Sequence, residues 1–306
     1  MIHALVDCLP PEMLLSEFKP LVKPRVKPPG SVRHGLAPVP STLAIPLAAR
    51  ALGGELFPEL AVDDGVAVRA LALLGDDGRH WLTDRSTVYA VLVRTALFRD
   101  LAREFFARHP EGQGANLGCG LSHPFQWLDS GRNRWCDVDL PPVTALRSKL
   151  KLPRCDRRRD VALDITQPGW WEAAGLPATR GAEPVLLMCE GVLMYLEPAQ
   201  VHAVLRTFAE RAPAGSELLL DAMPWLSIGQ GVALAQLYPS VHESGAEFHW
   251  GLRGVNDLAQ MHERLLLRSE HDVMSGYGMA HAFAGPLFRW FSGVPFYAVF
   301  RLGLRA

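Results

Sequence analysis

The chain has 306 residues, 49% of them hydrophobic, and a formal net charge of −1. Such a length can bury a large core in one elaborated domain, and the charge balance excludes a global field that would gather nucleic acid or an acidic membrane. The five cysteines, Cys8, Cys119, Cys136, Cys155 and Cys189, form no CxxC pair, and three lie in or beside apolar strands, so a reduced, cytoplasmic protein is expected. No apolar run approaches the ~20 residues of a membrane span, and the first apolar stretch, broken by Asp7 and Pro10-Pro11, is a poor secretory signal.

In chain order, residues 1–40 hold many prolines and a basic cluster (Lys19, Lys23, Arg25, Lys27, Arg33), which predicts an extended arm. It is either a solvated tail or an arm folding over an active site. A helical cap is expected over residues 41–110. Ser41 can cap its first helix, Asp63 or Asp64 its second, and Gly75 can end that one. A longer helix covers about Ser86 to His109, with apolar residues at Tyr89, Leu92, Val93, Ala96 and Leu97. On it, Arg94 has apolar neighbours one turn away, Ala90, Leu97, Phe98 and Leu101. An arginine facing a core needs an anion, whereas one whose stem lies on apolar surface and whose head reaches water does not. Helical geometry alone slightly favours the second arrangement.

The core, residues 111–306, opens with the most informative stretch, Gln113 to Pro142. It reads as a strand (115–117), a glycine turn (Gly118-Cys119-Gly120), a helix of modest length and a second strand (135–138) ending at Asp139. Missing side chains let a ligand approach the backbone, and Asp139 follows Gly118 by 139 − 118 = 21 positions, near the ~20 expected of a ribose-binding acid. The third glycine of a dinucleotide fingerprint is replaced by His123, which disfavours a dehydrogenase. A nucleoside without phosphates, as in S-adenosylmethionine, needs no pyrophosphate cradle. An ordinary turn with a surface aspartate fits these residues equally well.

A helix over Pro141–Leu150 follows, then a basic run, Arg154, Arg157, Arg158 and Arg159, read as a solvated loop. Strands are expected at 161–165, 185–189 and 217–221, with a helix over Pro198–Ala212 between the last two. Asp139, Asp164, Glu190 and Asp221 then stand at strand carboxyl ends, where open α/β sheets bind ligands. A Gly- and aromatic-rich region (222–254), with Met223, Trp225, Tyr238, Phe248 and Trp250, suits an apolar acceptor pocket or a core under a long loop. A helix near 256–264, a strand at 265–273, a long Gly/Phe/Trp loop that includes Tyr277 and a last strand at 296–302 complete the chain. The final two strands, joined without a helical crossover, predict an antiparallel pair.

The segments NLGCGL, RWCDVDLP, CEGVLMYL and LLLDA, with Trp250-Gly251, resemble the leucine carboxyl methyltransferase family, particularly its bacterial polyketide O-methyltransferase branch. STLAIPLAARAL and STVYAVLVRTALF resemble that branch's N-terminal helices, so the likeness covers about residues 40–302. It implies a class I methyltransferase fold: a Rossmann-like α/β sheet of seven strands, mostly parallel with an antiparallel final strand, preceded by a helical extension. It also implies S-adenosylmethionine as cofactor. Position by position it assigns Arg94 to the methionine carboxylate, Gly118 to the turn at the cofactor together with Gly120, and Asp139 to the ribose. Asp164 and Ile165 fall on the adenine side and Glu190 near the methionyl end. The family turn usually continues GLDTR, whereas this chain has Gly120-Leu121-Ser122-His123-Pro124. No secure counterpart is found for the N-terminal cofactor-contacting lysine of the protein-methylating branch.

Methyl transfer is an in-line displacement that depends on holding the nucleophile ~3–3.5 Å from the methyl group. A carboxylate acceptor is already ionised at neutral pH, whereas a phenol must lose a proton. For the latter, His123 and His249, and after them Tyr195, are the candidate proton acceptors, although a lone histidine is more often a surface or hydrogen-bonded core residue and Tyr195 belongs to a motif that can simply pack. His242-Glu243 and His262-Glu263 lack the second histidine of HExxH, so no metal site is expected. The expected function is O-methylation of a small-molecule hydroxyl or carboxyl, on a polyketide-like secondary metabolite, and a homo-oligomer is compatible with it. The alternatives are a carboxyl methyltransferase of a peptide or protein C-terminus, or a non-catalytic scaffold, which the altered turn permits.

Overall fold

A computed structural model describes residues 41–305 except 154, 179–180, 230–238 and 245, and not the side chains of Ser41, His242 and Ala280. The arm expected at 1–40 lies outside the described residues. One sheet contains β1 (Gln113–Leu117), β2 (Arg134–Asp139), β3 (Arg158–Ala162), β4 (Val185–Cys189), β5 (Glu217–Ala222), β6 (Leu265–Asp272) and β7 (Ala298–Leu304). Their order is β3-β2-β1-β4-β5-β7-β6. The first five strands run parallel, and β7 enters antiparallel between β5 and β6. This is the class I methyltransferase arrangement that the motifs implied.

Alternation along the central strands splits the core in two. In β4 every residue is buried, with Leu186 and Met188 in one cluster and Val185, Leu187 and Cys189 in the other. On the first side lie α1 (Ala44–Leu52), α2 (Gly65–Leu74) and α3 (Arg85–Arg108), the last contributing Phe98, Leu101, Phe105 and Phe106. The short helices α4 (Phe125–Leu128) and α5 (Pro141–Arg147) add Phe125, Leu128 and Leu146 to the same cluster. On the second side α6 (Trp170–Ala173) and α7 (Pro198–Arg211) cover the sheet with Trp171, Val201, Leu205 and Phe208. Asp64 caps α2 by accepting from the Ala67 N–H at 2.9 Å, and Gly75 ends it at φ +69°. Leu43, not Ser41, occupies the N-cap position of α1, after a 3₁₀ turn.

Five further expectations are corrected. The strand placed at 161–165 is β3 at 158–162, because the outermost strand of the sheet carries charged residues rather than the apolar run that marked it. Of the basic run, Arg154 lies outside the described residues and the rest is not a solvated loop: Arg158 pairs with Asp137 and Asp160, and Arg157 with Asp129. The helix after the glycine turn is only the four residues of α4, and that near 256–264 contracts to α9 (Asp257–Gln260), which follows α8 (Pro239–Glu243). The long loop before the last strand is mostly a helix, α10 (Gly278–Ser292), which contains Pro286. Its apolar residues ring the helix, so no amphipathic period marks it, and glycine and proline pointed to a loop.

Candidate active site

The strand order reverses between β1 and β4, and the open crevice of a doubly wound sheet lies at the carboxyl ends of such a pair. A cavity of about 970 Å³ of empty space, counting its open mouth, occupies that point. Gly118, Gly120, Asn116 and Ser122 line it from the β1 side, Glu190 and Gly191 from the end of β4, and Arg94 and Thr87 from α3. Leu43, Ile45, Leu47 and Arg50 line it from the α1 side, so a helix preceding the sheet forms one wall of the site.

The glycine turn is clamped to β2. The N–H groups of Gly118 and Cys119 both donate to Val138 O, at 2.8 and 3.0 Å, and Gly120 N donates to Asp139 Oδ2 at 2.7 Å. Gly118 and Gly120 have φ of +66° and +53°; a Cβ would lie 2.6 Å from Val192 Cγ2 on the first and 2.9 Å from Leu43 Cδ2 on the second. The turn is thus a backbone surface that admits a ligand where side chains cannot fit. Asp139 also accepts from Leu140 N at 2.7 Å, and burial pushes its carboxyl up. Each of its oxygens keeps a lone pair to spare, although Asp139 itself is not among the residues lining the cavity.

Arg94 is 9% exposed, and it does find its anions. Nε donates to Glu190 Oε1 at 3.0 Å, and Nη1 donates to Asp221 Oδ2 at 3.2 Å and to the Tyr297 hydroxyl at 2.6 Å. Tyr297 in turn donates to Asp221, whose other oxygen accepts from Gly191 N at 2.7 Å. Burial pushes the Asp221 carboxyl and the Tyr297 hydroxyl up, while the surrounding anions hold Arg94 firmly protonated. Among the described residues nothing accepts from Arg94 Nη2, so one edge of the guanidinium is committed to protein and the other is open. A ligand carrying a carboxylate, an ammonium and a sulfonium fits this trio, which holds one net negative charge when both acids are ionised.

Of the three candidate proton acceptors, the structure brings Tyr195 to the cavity wall, with Phe248 at 5.4 Å between ring centroids. Burial pushes its hydroxyl up to about 12. His249 is 41% exposed and pairs with Glu197 at 3.3 Å, outside the lining. His123 is 5% exposed, lies outside the lining, and has an Nδ1 without a hydrogen-bond partner. Asp164 and Ile165 also lie outside the lining, in the turn after β3, where Asp164 accepts from the N–H and hydroxyl of Thr166 at 2.8 and 2.7 Å. Among the described residues one cluster, Asp76, Asp77 and His80, gathers three metal-ligating side chains, away from this cavity.

Burial pulls His123 down to about 4. Its folded value is below the ordinary ~6.5, so between those values the unfolded chain takes a proton that the native chain refuses. Stability is therefore full above pH ~6.5 and falls with acidification, by up to ~1.4 kcal/mol per pH unit from this group. Urea midpoints at pH 7 and pH 5 for the wild type and His123→Asn check this: the acid loss should shrink in the variant, and an identical loss in both would refute it.

Two participants carried no sequence signal as site residues: Tyr297 sits beside an aromatic strand that reads as core, and Arg147 is the last residue of the unremarkable helix α5, whereas Asp221 was legible as one of four strand-end acids. Arg147 is fully buried behind the glycine turn, donating to Asp137 and Asp160 at 2.6 and 2.7 Å and to the carbonyls of Gly120 and Ser122. In place of the family's GLDTR side chains, Ser122 donates to Cys119 O at 2.8 Å and accepts from Asn116 at 3.3 Å.

Comparison with known proteins agrees with this fold. The family model described as leucine carboxyl methyltransferase matches residues 42–209. The tetracenomycin polyketide synthesis O-methyltransferase TcmP of Streptomyces glaucescens is 27% identical over 256 residues, covering 83% of this chain and 90% of that protein. A candidate methyltransferase of Thermobifida fusca shares the fold with a TM-score of 0.55 at 15% identity, covering 92% of this chain and all of that one. A DUF574 family protein of Streptomyces avermitilis does so with a TM-score of 0.53 at 16% identity, covering 85% and 96%. With the family match spanning more than half of its length, this chain belongs to the leucine carboxyl methyltransferase family.

Proposed function

We propose that this S-adenosylmethionine-dependent O-methyltransferase acts on an oxygen of a small, largely apolar polyketide-type acceptor. The observation that carries the reading is a single cavity with two unlike ends. Arg94, Glu190 and Gly118 offer polar groups at one end, and Met194, Tyr195, Met223, Val241 and Phe248 form an apolar wall. The family supplies the cofactor, and TcmP, named for O-methylation in tetracenomycin polyketide synthesis, supplies the acceptor class. In this reading Arg94 Nη2 holds the methionine carboxylate, Glu190 the ammonium and Asp139 the ribose, while Asp164 and Ile165 flank the adenine. Bound cofactor supplies the electrophilic methyl group.

The chain's own contribution is to orient the acceptor and exclude water. No histidine lines the cavity among the described residues, and the Tyr195 hydroxyl holds its proton at neutral pH. An acceptor oxygen that ionises by itself, a carboxylate or an acidified phenol, therefore suits the site best. No helix among the described residues is long and apolar enough to cross a membrane. Action in the cytoplasm belongs to the same proposal, supported by the unpaired thiols of Cys119, Cys136, Cys155 and Cys189.

The test is methyl transfer from labelled S-adenosylmethionine to three acceptors: an aromatic polyketide carboxylic acid, a phenol of the same ring system, and a peptide with a free C-terminus. Transfer to the first, and to the second only at a pH that ionises it, is expected. Transfer to the peptide alone would replace the acceptor class, and failure to bind S-adenosylhomocysteine in a calorimetric titration would sink the enzyme reading.

A further inference from the structure

The helix α10 carries a surface that the fold leaves unused. At 3.6 residues per turn, His281, Gly285, Phe288 and Ser292 fall on one seam. That seam faces the body of the protein, Phe288 stacking on Phe296 at 3.7 Å and His281 lying 5.2 Å from Tyr277. Met279, Phe283, Leu287, Trp290 and Phe291 fall on the opposite side, within an arc of about 120°. They are 76, 77, 61, 77 and 75% exposed, and no described residue covers them. Side chains of this size carry ~150–250 Å² each, so together they present about 700 Å² of apolar surface. That exceeds the ~300–600 Å² of the largest patch on a typical monomer and approaches the ~800 Å² that each partner brings to a standard interface.

We propose that this face is a homodimer interface, in which α10 of two copies packs antiparallel across a two-fold axis. Area is the first argument. Charge is the second: Arg289 is the only Lys, Arg, Asp or Glu between residues 278 and 292, and it is held in a two-pronged pair by Glu270 of β6. A helix that adsorbs to an acidic membrane surface needs a basic polar face, and α10 has none. Two identical apolar stripes, by contrast, meet without burying an unpaired charge, and an isologous contact requires the same patch from each copy. The stripe runs about 18 Å from Met279 to Phe291 at ~1.5 Å per residue, with its bulk at one end in Trp290 and Phe291. Antiparallel pairing sets that bulk against the slimmer Met279 end of the other stripe and fills both ends evenly. The contact also bears on the active site, because α10 is followed by Phe296 and Tyr297, and Tyr297 holds Arg94.

The full chain tests this by light scattering after size exclusion, from 1 to 100 μM, for the wild type and for Phe283→Glu/Trp290→Glu. The wild type should be dimeric, and the variant monomeric with a dimer dissociation constant raised at least 100-fold. S-adenosylhomocysteine binding and far-ultraviolet circular dichroism, expected to match the wild type, show that the variant is folded. The milder Phe283→Ser is measured beside it and should raise the dissociation constant about 10-fold, so a misfolded double variant would not leave the question open. A wild type that is monomeric throughout, an undiminished dimer in a folded variant, or a monomer that instead sediments with anionic lipid vesicles would each overturn the proposal.

Discussion

Arg94→Met should weaken S-adenosylmethionine binding by about 10- to 150-fold while leaving 5′-methylthioadenosine, which lacks the amino-acid carboxylate, nearly unaffected. The magnitude is that of a charge-assisted hydrogen bond to a carboxylate, ~1.5–3 kcal/mol. The arginine's other bonds make the substitution costly for the fold as well. Asp221 is 0% exposed and Glu190 has a side chain only 14% exposed, so removing the cation strips two buried carboxylates of their partner, a change on the order of 3–5 kcal/mol. That cost should be largest at neutral pH and shrink in acid, since burial already pushes Asp221 up and a protonated carboxyl there needs no counter-ion. The ligand comparison separates the two roles. Equal losses for both ligands would make Arg94 a structural residue, whereas a selective loss for the carboxylate-bearing one assigns Nη2 to it. Tyr297→Phe should follow in the same direction with smaller effect, because Nη1 retains Asp221 when the hydroxyl is removed.

Arg94 shows what a sequence can and cannot carry. Its apolar helical neighbours raise the question of an anion without answering it, since the anions come from Glu190, 96 positions away, and Asp221, 127 away. The ion pairs answer what the helical period cannot. The sheet was legible because β4 and the Leu218–Leu220 stretch of β5 are apolar runs hidden on both faces, and the glycine turn after β1 because glycine takes φ of +66° and +53° against Val192 and Leu43. Where the side chains obey another rule the sequence pattern misplaces the element. The β3 strand is held by ion pairs at a sheet edge, so its apolar signal lay three residues too late. The helix α10 is apolar on two faces, so its period vanished. Pairing of Tyr297 with Asp221 comes from β7 running antiparallel beside β5, a register no local pattern encodes.

Arg147 was invisible for the same reason, and its replacement carries the second large expected effect. Arg147→Met should lower folding stability by about 3–5 kcal/mol, a substantial fraction of the ~5–15 kcal/mol of a typical domain, and should loosen the cofactor with it. The side chain is 0% exposed and joins four acceptors: Asp137 on β2, Asp160 on β3, and the carbonyls of Gly120 and Ser122. Without it Asp137, also 0% exposed, keeps among the described residues the Trp135 indole at 2.8 Å and Arg158 at 3.3 Å, and the turn carbonyls lose the donor that fixes them from behind. Arg147→Lys should rescue little, because a point charge on a flexible stem cannot reach carboxylates and carbonyls in the fixed fork of a guanidinium. Urea denaturation with and without S-adenosylhomocysteine separates the two consequences. A ligand at a hundredfold excess over its dissociation constant stabilises by ~2.7 kcal/mol, so a variant whose turn has moved should gain less than the wild type from the same concentration. If the variant is destabilised but gains as much, Arg147 braces the sheet alone, and the clamp of Gly118 and Cys119 onto Val138 is sufficient to shape the turn.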